Sequence, residues 1–423
     1  MTRRQPPLSS LLPPLVCGTA TFNSQYNPDP YALPTTAIVH RALAQGIRAF
    51  DTSPYYGPAE ELLGQALLAP LPQGSVSRED YFLLTKIGRI SSTEFDYSPE
   101  WIQQSVQRSL VRLKTSYLDV VYCHDVEFVS PEEVLQAVIE LRRIRDETEA
   151  IRYIGISGYP VALVCERAEM ILEKTGEPLD AVMSYANFTL QNSTLASEGV
   201  HRLKAAGVDV VANGSPLGMG LLRGEGVPIG SQGDFHPAND ELREACQKAS
   251  KFCNTHGEKL EVVALRYALE AWLNEGESVG TTGDPASGVP SDQTKRELRK
   301  MKLGVSVIGV SFVEELDKTL QVWRSILDGL DDGEYTAVAA GRHRDDHQWS
   351  LNRRKVVAEI VLGVRESLGQ WVDYAWPSPG PGFVRQNHRP SDIHGGYATD
   401  LSPQRLVASS FTESSDVQRS SHL

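Results

Sequence analysis

The stretch Phe50-Asp51-Thr52-Ser53-Pro54-Tyr55-Tyr56-Gly57 closes the apolar run Gly46-Ile47-Arg48-Ala49-Phe50. A short apolar run bounded by turn residues reads as a strand. An acid therefore stands at the strand's carboxyl end, with a tyrosine in the loop just beyond. Two later runs end in a similar way. Tyr81-Phe82-Leu83-Leu84-Thr85 leads into Lys86, and Leu118-Asp119-Val120-Val121-Tyr122-Cys123 leads into His124. Asp51, Tyr56, Lys86 and His124 thus follow one another at the carboxyl ends of successive strands, and that order decides the reading of the fold.

On either side of this stretch, β-like runs alternate with amphipathic helical stretches from about residue 15 to about residue 327. Strands are expected at 15–19, 47–51, 82–86, 119–124, 153–157, 181–185, 208–212 and 305–308. Helices are expected between them, at 35–45, 99–113, 131–147, 161–174 and 240–256 among others. Ser98 and Ser130 each precede a proline, the pairing of an N-cap with proline at the first helical position. Such alternation predicts an α/β fold, a (β/α)8 TIM barrel with a C-terminal extension. A doubly wound sheet would carry a glycine-rich phosphate turn after its first strand. Cys17-Gly18-Thr19-Ala20-Thr21-Phe22 is not such a turn. The barrel is expected over residues 1–330, with a flexible insertion at about 275–292. The extension follows at 331–423, with a helical pattern at 355–368 and disorder after about 375, where Pro, Gly, Ser and His dominate.

A chain of 423 residues with 41% apolar content can bury one large barrel. Its net charge of -13 argues against nucleic acid or an anionic membrane as partner. No apolar run is long enough to span a bilayer, and the proline-rich amino terminus does not read as a secretory signal. The five cysteines are odd in number and show no C-x-x-C spacing. They point to a reduced, cytoplasmic setting with no structural metal and no disulfide framework.

Several motifs resemble the aldo-keto reductase family. Asp51-Thr52-Ser53, Gly57, Glu60-Glu61, Leu63-Gly64 and Ala66-Leu67 match its D-T-A…Y-G…E…G-x-A-L pattern. Arg108-Ser109-Leu110, Arg112-Leu113 and Tyr117-Leu118-Asp119 match S-L-x-R-L…Y-x-D. Ile151 to Ser157 matches I-R-x-I-G-V-S, and Ser215 to Leu222 matches S-P-L-x-x-G-L-L. The resemblance covers roughly residues 12 to 327. Within the family, Cys123 to Phe128, Ser184 to Phe188 and Asn192 to Leu195 are similar to the NAD-dependent dehydrogenases of L-galactose and D-arabinose. These oxidise the anomeric hydroxyl of an aldose to the lactone.

The resemblance implies catalytic roles for Asp51, Tyr56, Lys86 and His124. Tyr56 would exchange a proton with the reacting oxygen. An unperturbed phenol has a pKa of about 10, and Lys86 is expected to lower it. Asp51 would hold Lys86, and His124 would orient the substrate as a neutral donor. Tyr55 competes with Tyr56; the glycine after Tyr56 selects the latter.

For the cofactor, the resemblance implies contacts from Gly18, Thr19, Ser157, Ser184, Ser215, Leu217, Gly218, Ser311 and Glu315. Gly158 stands where the family usually has Asn, Met183 where it has Gln, and Gly214 or Asn213 where an aromatic stacks on the nicotinamide. After the last strand, Val310 and Glu315 replace the basic residues that hold a 2′-phosphate in NADPH-using relatives. NAD is therefore expected over NADP. The expected activity is oxidation of a small-molecule aldose by a cytoplasmic monomer or weak homo-oligomer. Two alternatives are an NADPH-dependent aldehyde or pyridoxal reductase and a regulatory nucleotide-binding subunit.

Overall fold

Parallel strands need long crossovers, and helices supply them here. The computed structural model describes residues 5–71, 74, 76–230, 232–285, 301–330 and 344–386. Eight parallel strands close into a barrel in sequence order. They are β1 (Leu15–Gly18), β2 (Ala49–Asp51), β3 (Phe82–Ile87), β4 (Leu118–Cys123), β5 (Ile151–Gly158), β6 (Ala181–Tyr185), β7 (Val210–Gly214) and β8 (Val305–Gly309). β8 closes on β1 with Leu15 opposite Ser306.

The helices lie outside this wall: α1 (Thr35–Ala44), α2 (Ala59–Leu68), α3 (Pro99–Arg112), α4 (Pro131–Thr148), α5 (Val161–Thr175), α6 (Val200–Ala205), α7 (Asp240–Thr255), α8 (Leu260–Glu275) and α9 (Val313–Asp328). Ser98 accepts from the backbone of Trp101, and Ser130 forms a reciprocal capping box with Glu133, as their spacing implies. Apolar faces of these helices meet the outer strand residues in one large core. A second core fills the barrel lumen with Val16, Leu84, Val120, Tyr122, Val210 and Val305 among others. Gly155 is required in this wall, because a Cβ there would stand 2.4 Å from the Ala181 carbonyl oxygen.

The amino-terminal segment joins the lumen core, which the sequence reading did not anticipate. Leu8 and Leu12 are fully buried in it. Ser9 donates to Asp209 through its backbone at 2.8 Å and its hydroxyl at 2.6 Å. Tyr153 donates to the Pro6 carbonyl at 2.7 Å.

Two expectations of flexibility need correction. Within the proposed insertion at 275–292, residues up to Pro285 are held: Thr281 pairs with Leu303, and its hydroxyl donates to Leu12 O at 2.6 Å. Trp323 Nε1 donates to Pro285 O at 2.7 Å. Residues 286–300 lie outside the described residues. The extension forms α10 (Arg344–Leu368), which packs on α7 and α8 through Val357, Ile360, Val361 and Val364. The chain then continues as a strap to Gln386. Loss of order was expected after about 375, yet Trp376 stacks on Tyr159 with ring centroids 4.6 Å apart. Phe383 packs edge-on against Phe128 at 4.9 Å, and Arg385 pairs with Glu133 at 2.7 Å. A few aromatic anchors thus offset the ordering cost that composition alone suggested. Residues 387–423 lie outside the described residues. Among the described residues, no helix is long and apolar enough to cross a membrane.

Candidate active site

β2, β3 and β4 carry their last residues to one end of the barrel, where a cavity of about 1390 Å³ opens. Asp51 ends β2, Lys86 is the penultimate residue of β3, and His124 follows β4. Asp51, Tyr56, Lys86 and His124 all line the cavity. Lys86 Nζ donates to the two Asp51 carboxylate oxygens at 2.7 and 2.9 Å and to Thr52 O at 2.9 Å. Those contacts engage all three ammonium protons. Lys86 therefore meets Tyr56 across the ring face, with Nζ 4.9 Å from the centroid.

This geometry sets the surroundings of the Tyr56 phenol. Burial pushes the Tyr56 phenol well above its ordinary value, and the carboxylates of Asp51 and Asp125 push it further; Arg89 opposes them. Lys86, whose charge was expected to lower the phenol, is paired with Asp51. Tyr56 thus rests as the protonated phenol. Burial also raises the Asp51 carboxyl against the pull of Lys86. His124 is depressed to about 3, by burial first, with Lys86 and Arg89 reinforcing and Asp125 opposing. It is a neutral imidazole. Its ring stands edge-on to Tyr56 at 5.8 Å, its Nδ1 lies 3.1 Å from Ser53 Oγ, and its carbonyl accepts from Tyr97 at 2.5 Å. The Tyr56 and His124 rings are thus fixed side by side on the cavity wall.

Of the residues expected to hold a cofactor, Gly18, Ser157, Ser215, Leu217, Ser311 and Glu315 line the cavity. Three do not. Thr19 is buried, its N–H continuing the sheet to Asp51 O at 2.8 Å. Ser184 accepts from Asn187 at 2.9 Å, and the Gly218 carbonyl meets His236 Nε2 at 2.9 Å. At Gly158 a Cβ would stand 2.8 Å from Glu127 Oε2 and 2.9 Å from Val164 Cγ2, so an Asn there requires these side chains to shift. Glu315 accepts from Ser311 N at 2.8 Å, which closes the first turn of α9.

The cavity also has walls that the sequence reading missed. Arg89 and Asp125 form an ion pair beside His124, and Lys318, Trp376 and Ser378 line the cavity as well. Gly88 was the available signal for Arg89. It has a φ of 95° and lies against Tyr97, marking a tight turn that directs Arg89 back to the site. Nothing in the local sequence signals the Trp376 contact, which joins residues more than two hundred positions apart.

The chain belongs to the aldo/keto reductase family, whose model matches residues 14–339. It is 42% identical over 265 residues to D-arabinose 1-dehydrogenase of Saccharomyces cerevisiae, covering 62% of this chain and 77% of that protein. It is 37% identical over 236 residues to L-galactose dehydrogenase of Arabidopsis thaliana, covering 55% of this chain and 69% of that protein.

Members of this family use nicotinamide cofactors, and the cavity suits one. Its volume of about 1390 Å³ exceeds the about 300–1,000 Å³ of an ordinary small-molecule site, leaving room for cofactor and substrate together. Ser157, Ser215 and Ser311 offer hydroxyls along it. Gly214 leaves the wall open beside Tyr185, where a Cβ would stand 3.3 Å from the tyrosine's own.

Proposed function

We propose that this protein oxidises the anomeric carbon of an aldose to the aldonolactone, with NAD as oxidant. The observation that carries the reading is the pairing of a half-buried Tyr56 phenol with a neutral His124 on one cavity wall. A bound nicotinamide would take the hydride from the anomeric carbon. Tyr56, once ionised, takes the proton of the anomeric hydroxyl. His124 donates a hydrogen bond to the same oxygen and fixes it against the phenol. The Asp51–Lys86 pair supports the Tyr56 ring from its face. In the opposite direction the protonated phenol serves as the acid. The similarity to two sugar dehydrogenases supports an aldose as substrate.

Glu315 on the cavity wall supports NAD, because a 2′-phosphate would meet a carboxylate there. A second reading has one observation in its favour. Lys318 lies on the same wall and offers a cation to that phosphate, as an NADPH-dependent carbonyl reductase requires. The five free, buried thiols fit a reducing, cytoplasmic setting, and we take the protein to act as a monomer or weak homo-oligomer. Formation of reduced nicotinamide, followed by absorbance with a panel of aldoses and both dinucleotides, tests the reading. Aldose-dependent reduction of NAD is expected. Reduction of aldehydes by NADPH without aldose oxidation would replace it with the second reading.

A further inference from the structure

Next to the reacting pair lies a polar surface that the proposed chemistry does not use. The Tyr55 ring stands 5.9 Å from the His124 ring and 6.4 Å from that of Tyr56. Its hydroxyl accepts from Arg89 Nη2 at 3.1 Å and from Gln25 Nε2 at 3.3 Å. With both donors aimed at the oxygen, the Tyr55 proton has no acceptor among the described residues. Arg89 is also incompletely used. Its guanidinium lies 3.9 Å from the Tyr55 ring centroid, pairs with Asp125, and donates from Nε to Ser91 O at 3.3 Å. Three of the five N–H donors of a guanidinium are thus engaged, to Ser91, Asp125 and Tyr55, and two remain. Tyr55, Arg89 and Gln25 all line the cavity, and the Arg89 side chain keeps 15% of its exposure.

We propose that Tyr55 and Arg89 form a hydroxyl-recognition subsite that selects substrates bearing an oxygen on the carbon next to the reacting one. The unused groups of Tyr55 and Arg89 are donors, so a ligand that they hold must supply lone pairs. Asp125 already balances the charge of Arg89, so the subsite favours a neutral hydroxyl over a carboxylate. With the Tyr55 ring 5.9 Å from that of His124, the subsite would meet the oxygen on the carbon next to the one held by Tyr56 and His124. The two neighbouring tyrosines then divide the work: Tyr56 handles the proton, and Tyr55 reads the adjacent hydroxyl. A site built to bond a hydroxyl discriminates against the analogue that lacks it, because its donors are left unpaired.

The inference rests on the carbonyl–carbinol chemistry proposed above but not on the identity of the sugar. The test compares reduction of glyceraldehyde and propanal by wild-type protein and Tyr55→Phe, using kcat/KM with the preferred reduced dinucleotide. Tyr55→Phe keeps the ring that Arg89 covers and removes only the hydroxyl. Wild-type protein should prefer glyceraldehyde, and the variant should lose about 3- to 10-fold of that preference, the worth of one neutral hydrogen bond. Differences in aldehyde hydration cancel, because the same two substrates are used throughout. An unchanged ratio in the variant overturns the subsite, as does a wild type that turns over both aldehydes alike or neither. An aldose panel run beside it reads the other proposal separately. A wild type that oxidises no aldose yet keeps a Tyr55-dependent preference removes the sugar assignment and leaves the subsite standing.

Discussion

Tyr55 and Tyr56 place the same phenol on neighbouring residues, and the fold gives them different surroundings. The Tyr55 hydroxyl is held by Arg89 and Gln25. The Tyr56 hydroxyl has no hydrogen-bond partner among the described residues, and its ring meets His124 on one side and Lys86 on the other. Tyr56→Phe should therefore lower kcat by about 10²- to 10⁴-fold, the usual worth of a general acid–base group. Dinucleotide affinity, measured by fluorescence titration, should stay near that of the wild type. The raised phenol also sets the pH dependence. A phenol above its ordinary value keeps its proton through neutrality, so carbonyl reduction should persist to alkaline pH while sugar oxidation should rise with pH. His124, depressed to about 3, contributes no limb between pH 5 and 8. A kcat/KM limb near pH 6.5 would contradict its neutral role. Asp51, Tyr56, Lys86 and His124 were legible because reactive side chains at successive strand ends have few structural reasons to be there. For Thr19, Ser184 and Gly218 a linear motif does not show which way a residue turns at the rim of a barrel, and these three lie beside the cavity lining and not in it. The pairing of Lys86 with Asp51 was legible from their places at neighbouring strand ends, whereas its bidentate form and the contact to Thr52 O are properties of three-dimensional geometry.

Between residue and barrel stands the strap, 369–386, with the short turn Val126–Phe128 beneath it. Glu127 in that turn accepts from Tyr159 N at 3.1 Å and from Ser378 Oγ at 3.0 Å, while its Oε2 is buried without a partner. Burial first and Asp125 second raise its carboxyl to about 8. The sign follows from linkage. The unfolded group ionises near pH 4.5, whereas the folded one holds its proton until about 8, so stability falls as pH rises through that window. Glu127→Gln lacks that ionisation. Its melting temperature should therefore differ little from wild type at pH 4 and exceed it by several degrees at pH 8.5. A constant difference across that range would mean that Glu127 is ionised in the fold. On the strap itself, Trp376 is 4% exposed and stacked on Tyr159. Trp376→Ala should cost about 3–5 kcal/mol, as large-to-small changes at buried aromatics do, measured by denaturant unfolding. The capped helices were legible because a serine, a proline and an apolar period lie within a few residues of one another. The strap was not, because its order comes from contacts with the loops after β3, β4, β5 and β6, and its own composition resembles that of unanchored chain.

For the whole molecule, the barrel decides what can be near what, and β8 with α9 brings two opposed charges to one cavity wall. Glu315 accepts from Ser311 N at 2.8 Å, and Lys318 follows about one helical turn later. The alternation of strands and helices made the barrel legible from about residue 15 onward. The chemistry of this wall was only half legible, since the substitution of Glu315 for a basic residue was visible and the inward turn of Lys318 was not. A 2′-phosphate at this wall meets repulsion from Glu315, attraction from Lys318 and the favourable amino-terminal dipole of α9. Glu315 stands nearer the helix start, and Val310 adds no charge. NAD should therefore give the higher kcat/KM at fixed sugar concentration. Glu315→Arg should narrow the gap by improving NADP use, because a guanidinium binds phosphate well. Lys318→Met should widen it, lowering NADP use more than NAD use. If Lys318→Met lowers both equally, the lysine does not meet the 2′ position, and the preference rests on Glu315 alone. If wild-type protein prefers NADP, Lys318 outweighs Glu315, and the carbonyl-reductase reading takes first place.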